Sequence, residues 1–151
     1  MLYLVRHAKA GERASWHDDD RLRPLEPAGE VQAAALATRL APLVSGRLVS
    51  SPYVRCVQTL EPLGTALGTT VTVDERLAEH GLFTEVFDLL DELPDGSVLC
   101  SHGDVIPDTI RALERRGCEI VGPASWSKAS TWLLTRTEHG ITGAACWPPP
   151  R

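Results

Sequence analysis

Leu2-Tyr3-Leu4-Val5-Arg6-His7-Ala8 opens with an apolar run that stops at two basic side chains. A run this short, apolar at consecutive positions, has the pattern of a strand buried on both faces, as in a parallel sheet. Ser97 to Ser101 reads as a second such strand and leads into His102-Gly103. Arg47 to Ser50 is a shorter one, stopped by Ser51-Pro52. Helical stripes lie between them. Ala33, Leu36, Leu40 and Leu43 predict a helix over 28–43, and Leu82, Phe83, Val86, Leu89, Leu90 and Leu93 predict another, ended by Pro94-Asp95-Gly96. Ile106, Ile110 and Leu113 line a third, closed by Gly117. Tyr53 to Thr59 is helical in pattern. The ring of Pro62 disfavours one unbroken helix there, so Thr59 is expected to cap a new helix with Pro62 in its first turn.

Further strands are expected at Thr70–Val73, Thr131–Thr135 and Ile141–Cys146, the last two joined by Glu138-His139-Gly140. Residues 8–27, with Gly11, Asp18-Asp19-Asp20, Pro24 and Pro27, carry loop chemistry. Strands and helices alternate, which predicts a three-layer α/β/α sandwich with a mainly parallel central sheet. No repeat or linker divides the chain, so 1–151 is expected to be one domain, with 148–151 a loose tail.

Composition narrows the class of function. The chain has 151 residues, 43% hydrophobic and 23% charged, ordinary values for a globular domain. Its 15 Lys+Arg against 20 Asp+Glu leave a formal charge of −5, the wrong sign for a protein built to hold nucleic acid or an anionic membrane. Arg6 interrupts the apolar start, no stretch is long enough to span a membrane, and a cytoplasmic location is expected. Cys56, Cys100, Cys118 and Cys146 show no metal-ligand spacing and read as free thiols. His17-Asp18-Asp19-Asp20 reads as a polar loop rather than a metal site. Of the tryptophans, Trp132 reads as core, while Trp16 and Trp126 sit in loops and are candidates to line a crevice.

In sheets of this kind ligands bind beyond the carboxyl ends of the strands. Arg6-His7, Ser50-Ser51-Pro52 with Arg55, and Ser101-His102-Gly103 all fall there. Two arginines and two histidines facing one crevice, beside two helix N-termini, seek an anion, and a tetrahedral phosphate fits best. Other phosphate chemistries are missing. No cysteine has an arginine six residues on, Gly122–Lys128 lacks the second glycine of a P-loop, Leu22 breaks an aspartate-phosphatase pattern, and no G-x-S-x-G occurs. Histidine is the nucleophile best placed.

Leu4-Val5-Arg6-His7-Ala8, Ser50-Ser51-Pro52-Tyr53-Val54-Arg55-Cys56-Val57-Gln58-Thr59 and Ser101-His102-Gly103 resemble the signature blocks of the histidine phosphatase, or phosphoglycerate-mutase-like, superfamily. The small size, the R-H-A start, and Asp20 followed by Arg23-Pro24-Leu25 are similar to its SixA-like branch, the phosphohistidine phosphatases. Residues 54–63 and 100–110 also resemble the C-terminal domain of some bacterial two-domain Nudix hydrolases, without a Nudix box.

The resemblance implies attack by His7 on phosphorus, with Arg6, Arg55, His102 and Gly103 holding the phosphate oxygens, His102 also assisting catalysis, and no metal or cofactor. It places Glu79, in Leu77-Ala78-Glu79, at the family's proton donor, though a plain loop carboxylate is the competing reading. Lys9, Arg13, Arg21 and Arg23 could guide an acidic substrate, with Lys9 and Arg23 the candidate substrate contacts; the SixA-like match supports Arg23, while a solvated loop is the stronger reading for Lys9, Arg13 and Arg21. The expected substrate is a phosphohistidine protein, a nucleotide or another small phosphorylated metabolite. Ala8 departs from the commoner R-H-G. The short span from Glu79 to Ser97 leaves little room for capping insertions, which speaks against a mutase. A phosphate-binding module without turnover is the alternative from another class.

Overall fold

The computed structural model describes residues 1–151, and the three strands that end in polar residues lie side by side in it. β1 (Leu2–Arg6) pairs in parallel with β4 (Val98–Ser101), and β4 with β2 (Leu48–Ser50). β3 (Val71–Val73) extends this half in parallel. On the other flank of β1, β6 (Thr131–Thr137) and β7 (Gly140–Trp147) form an antiparallel hairpin, and β5 (Glu119–Val121) closes the edge. The order is β3-β2-β4-β1-β6-β7-β5, so parallel pairs predominate, as expected.

The consecutive apolar residues of β1 divide between two cores. Leu2 and Leu4 join one cluster, and Tyr3 and Val5 the other. β4 does the same, with Leu99 on one face and Val98 and Cys100 on the other. Adjacent strand residues point to opposite faces, so a strand covered on both sides is apolar throughout. α1 (Pro27–Leu40) and α2 (Val54–Leu67) cover one face through Ala33, Leu36, Leu40, Leu60 and Leu63. α3 (Phe83–Glu92) and α4 (Val105–Arg115) cover the other through Val86, Leu90, Ile110 and Leu113. Each fully buried leucine contributes about 1.5–3 kcal/mol of transfer free energy.

Four details differ from the sequence expectation. α2 is one unbroken helix with Pro62 inside it. Thr59 does not cap a second helix: its hydroxyl donates to the Arg55 carbonyl (2.7 Å) and accepts from Ala8 N (2.9 Å). The face formed by Cys56, Leu60 and Leu63 is buried without interruption, and that packing overrides the local cost of the proline. α1 ends at Leu40, and Leu43 lies on the turn beyond it, 44% exposed. β5 was not anticipated, because Glu119-Ile120-Val121 is short and mostly exposed, with nothing to distinguish it from loop. Residues 8–27, expected as loop, contain 3-10 turns at Arg13–Ser15 and Asp20–Leu22. Beyond β7 the chain has no regular structure, and Arg39 Nη1 donates to the Pro148 carbonyl (2.7 Å).

Candidate active site

β1, β2 and β4 end level with one another. Arg6 is the register partner of Ser101, and Ser50 of Cys100. His7 N then donates to the Ser101 carbonyl (3.1 Å) and Ser51 N to that of Cys100 (3.0 Å). These bonds carry the sheet one residue further and bring Arg6-His7, Ser51 and His102 together.

His7 is buried, 6% exposed. Its Nδ1 lies 2.8 Å from the carbonyl oxygen of Ala8. A carbonyl only accepts, so Nδ1 carries the proton and Nε2 keeps a free electron pair. Burial, followed by the charges of His102, Arg55 and Arg6, pushes the His7 pKa down to about 3 against the opposing Ala8 bond. The ring is therefore neutral near pH 7.

Arg6 lies flat against Gly103: a Cβ on that glycine would fall 2.6 Å from Arg6 Cζ. Its Nη1 donates to the Trp126 carbonyl (2.5 Å). His102 packs edge-on against Tyr53 (ring centroids 4.6 Å apart) and His7 (5.5 Å). Its Nε2 is 2.8 Å from Ser51 Oγ. Arg55, in the first turn of α2, is wholly buried. It stacks over Tyr53 at 4.8 Å. Its Nη1 donates to the Asp20 carbonyl (2.9 Å) and its Nη2 to Asp20 Oδ2 (3.0 Å) and Glu79 Oε2 (3.4 Å).

Five buried side-chain polar atoms in the chain lack a hydrogen-bond partner, and three of them are Arg6 Nε, Arg55 Nε and His102 Nδ1. Such atoms are costly to bury unpaired, and here they cluster around His7. The cleft over His7 has a volume of about 640 Å³, and only one of its 14 lining residues is hydrophobic. It suits a small, charged group rather than an apolar one.

Glu79 lines this cleft with its side chain 14% exposed, and its Oε1 accepts from Arg13 Nη2 (2.8 Å). Gly103, Lys9 and Arg23 also line it. Lys9 Nζ is paired with Glu26 (2.9 Å). Arg23 is buried, and donates to Asp20 Oδ1 (2.9 Å) and to the Gly11 carbonyl, so two of its donors are spent inside the loop. No group of three or more His, Cys, Asp or Glu side chains is arranged to hold a metal ion.

Sequence reasoning missed several residues. Asp20 joins Arg23 and Arg55; burial alone would raise its carboxyl pKa, but the two guanidiniums hold it below the usual value. Tyr53 supports both Arg55 and His102. Lys128 lines the cleft from a loop that carries no motif. The one usable signal was the position of Asp20 three residues before Arg23. The crevice reading of Trp16 and Trp126 is corrected, since neither belongs to the cleft wall. Trp16 Nε1 bonds back to the Asp19 carbonyl, and Trp126 stacks on the core residue Trp132 (5.1 Å) and offers the site only its carbonyl.

Comparison with known proteins identifies the family and the fold. The family model of the histidine phosphatase superfamily (branch 1) matches residues 2–86. The 8-oxo-(d)GTP phosphatase of Mycolicibacterium smegmatis is 32% identical over 153 residues, covering 97% of this chain and 48% of that protein. The chain spans about half, or less, of the length of the curated relatives it matches. Among solved structures, the protein histidine phosphatase SixA complexed with tungstate superposes with a TM-score of 0.73 at 21% identity, covering 99% of this chain and 96% of that one. A mycobacterial glucosyl-3-phosphoglycerate phosphatase in complex with VO3 gives 0.70 at 20%, covering 97% and 95%. These two establish a shared fold. With more than half of its length matched by the family model, the chain belongs to the histidine phosphatase superfamily, branch 1.

Proposed function

We propose that this chain is a metal-independent phosphatase that passes a phosphoryl group through His7 to water. The observation that carries the reading is the neutral, one-sided His7 ring amid the unpaired donors of Arg6, Arg55 and His102. The Nε2 electron pair attacks phosphorus in line, and the bond to the leaving group breaks with its electrons. Arg6 and Arg55 offer N–H donors to the non-bridging oxygens, where charge is held in the transition state. Ser51 Oγ lies 2.8 Å from His102 Nε2 and donates its proton there in this reading, which puts the ring proton of His102 on Nδ1, an atom with no partner in the chain, to bind a third oxygen. Glu79 gives a proton to a leaving group that needs one. Water then attacks the phosphohistidine, its proton returns to Glu79, and inorganic phosphate departs.

The substrate we favour is a small phosphorylated molecule, because charged side chains make up most of the lining of the cleft. The name of the Mycolicibacterium relative specifies a nucleotide, in keeping with that class. A SixA-type phosphohistidine protein is the other substrate that the fold neighbours bring to mind.

The test is phosphate release from an aryl phosphate, a nucleotide panel and a phosphohistidine protein, with a chelator present. His7→Ala should reduce turnover by at least about 10³-fold while inorganic phosphate still binds. Turnover unchanged in His7→Ala overturns the mechanism. Phosphate binding with no turnover in the wild-type chain would make this a binding module.

A further inference from the structure

The cations of the cleft are not equivalent. Arg13 is paired with Glu79, Arg23 with Asp20, and Lys9 with Glu26. Lys128 lines the same cleft half-buried and has no carboxylate partner. Burial and the charges of Arg6, Arg23 and Lys9 all disfavour its ammonium, and Glu26 alone acts the other way. An unpaired ammonium held among three other cations is costly unless an anion joins it.

The backbone beneath Lys128 is also fixed at a cost. Ala129 adopts a left-handed conformation (φ 67°) that a non-glycine residue rarely takes, and it is completely buried. Such a conformation is disfavoured for a residue that carries a Cβ. Its N–H is shared between the carbonyls of Arg6 (3.1 Å) and His7 (3.2 Å), and Ser130 N closes the turn on Ser127 (3.1 Å). The turn that presents Lys128 is thus bonded to the same two residues that carry the nucleophile and its arginine.

We propose that Lys128 forms a second anion subsite beside the His7 phosphate site, and that it takes the adjoining phosphate of a diphosphate substrate. The inference rests on the phosphatase reading above and deepens it. The reacting phosphoryl group is served by Arg6, Arg55 and His102, which leaves Lys128 for a group outside that set. A second phosphate lies one bridging oxygen away and is itself negatively charged, which matches the positive charge of Lys128, with which no carboxylate of the cleft is paired. When the bridging bond breaks, charge develops on this second phosphate, and Lys128 stabilises it. A phosphohistidine leaving group brings no such charge.

The test is a binding measurement by calorimetry, with chelator present, using inorganic phosphate and the non-hydrolysable methylenediphosphonate. The wild-type chain should bind the diphosphonate about 10-fold or more tighter than phosphate, as one charge-assisted contact provides. Lys128→Met should bring that ratio close to one, with phosphate affinity changed by less than about 3-fold, and Lys128→Arg should retain the preference. A thermal melt of each variant reports folding. A ratio that survives Lys128→Met overturns the subsite, as does an equal loss for both probes or no binding of either. Turnover that persists in His7→Ala would instead overturn the histidine mechanism, and a Lys128-dependent diphosphonate preference would stand apart from it.

Discussion

Gly103 has no Cβ, and the guanidinium of Arg6 occupies the space one would need, with Cζ, Nη2 and Nε all within 2.9 Å of the ideal position. Glycine here serves close approach, and no positive φ is involved. Gly103→Ala therefore has to displace Arg6 from the cleft. We expect kcat/KM to fall by about 100-fold, in the range seen for the loss of one preorganised donor, with only a small change in melting temperature. Activity within a factor of about 3 of wild type would mean that Arg6 adapts and that its position against Gly103 is not needed. The glycine of Ser101-His102-Gly103 was legible as part of a motif, whereas its reason was not, since Arg6 lies 97 positions earlier in the chain.

At the scale of elements, the 8–27 segment decides the shape of the site. Its second 3-10 turn presents Asp20 to Arg55 (3.0 Å) and Arg23 (2.9 Å), and the rest of the segment is pinned by Arg13–Glu79 and Arg21–Glu75. These ion pairs differ in weight because they differ in burial. Arg55 is wholly buried, and Asp20→Asn leaves it one carboxylate, Glu79 at 3.4 Å, beside the backbone carbonyl of residue 20. Removing the partner of a buried charge is strongly destabilising, and we expect a loss on the order of 2 kcal/mol in urea unfolding. Arg21 and Glu75 are 43% and 70% exposed, and Arg21→Ala should leave the unfolding midpoint where it is. Equal effects from the two variants would show that Asp20 does not hold Arg55 in place. Glycine, proline and aspartate marked this segment as loop, but its pairing partners are Arg55 of α2 and Glu75 and Glu79 before α3, which only the folded chain brings near. Pro62 makes the same point for a helix: local sterics favoured a break, and the continuous buried face of α2 prevailed.

At the scale of the whole molecule, burying His7 links the site to stability. In the folded chain His7 takes up a proton only near pH 3, against an ordinary value of 6.5. Between those values the unfolded chain binds a proton that the folded chain does not, so protons favour unfolding and stability rises with pH. His7 alone should then steepen the loss of stability by up to about 1.4 kcal/mol for each pH unit that falls from 6.5 towards 3. Urea unfolding at stepped pH should show this slope in the wild type and a shallower one in His7→Gln. Identical slopes would mean that His7 is not held neutral. The remaining architecture follows one rule at this scale. No helix is long and apolar enough to cross a membrane, and the apolar residues are instead spent on two cores that sandwich the sheet.

The sequence by itself determined the layered α/β class, the strands that carry Arg6-His7 and His102, and the family, because each depends on residues close together in the chain. Apolar runs and strand-end motifs are local patterns, and local patterns survive without coordinates. Tertiary structure alone decided which charges meet. The clamp of Asp20 on Arg55 spans 35 residues, and the contact of Arg6 with the Trp126 carbonyl spans 120. Lys128 faces the cleft because Ala129 is bonded to Arg6 and His7. Electrostatic pairing depends on distance in space and on burial, and neither can be read from position along the chain.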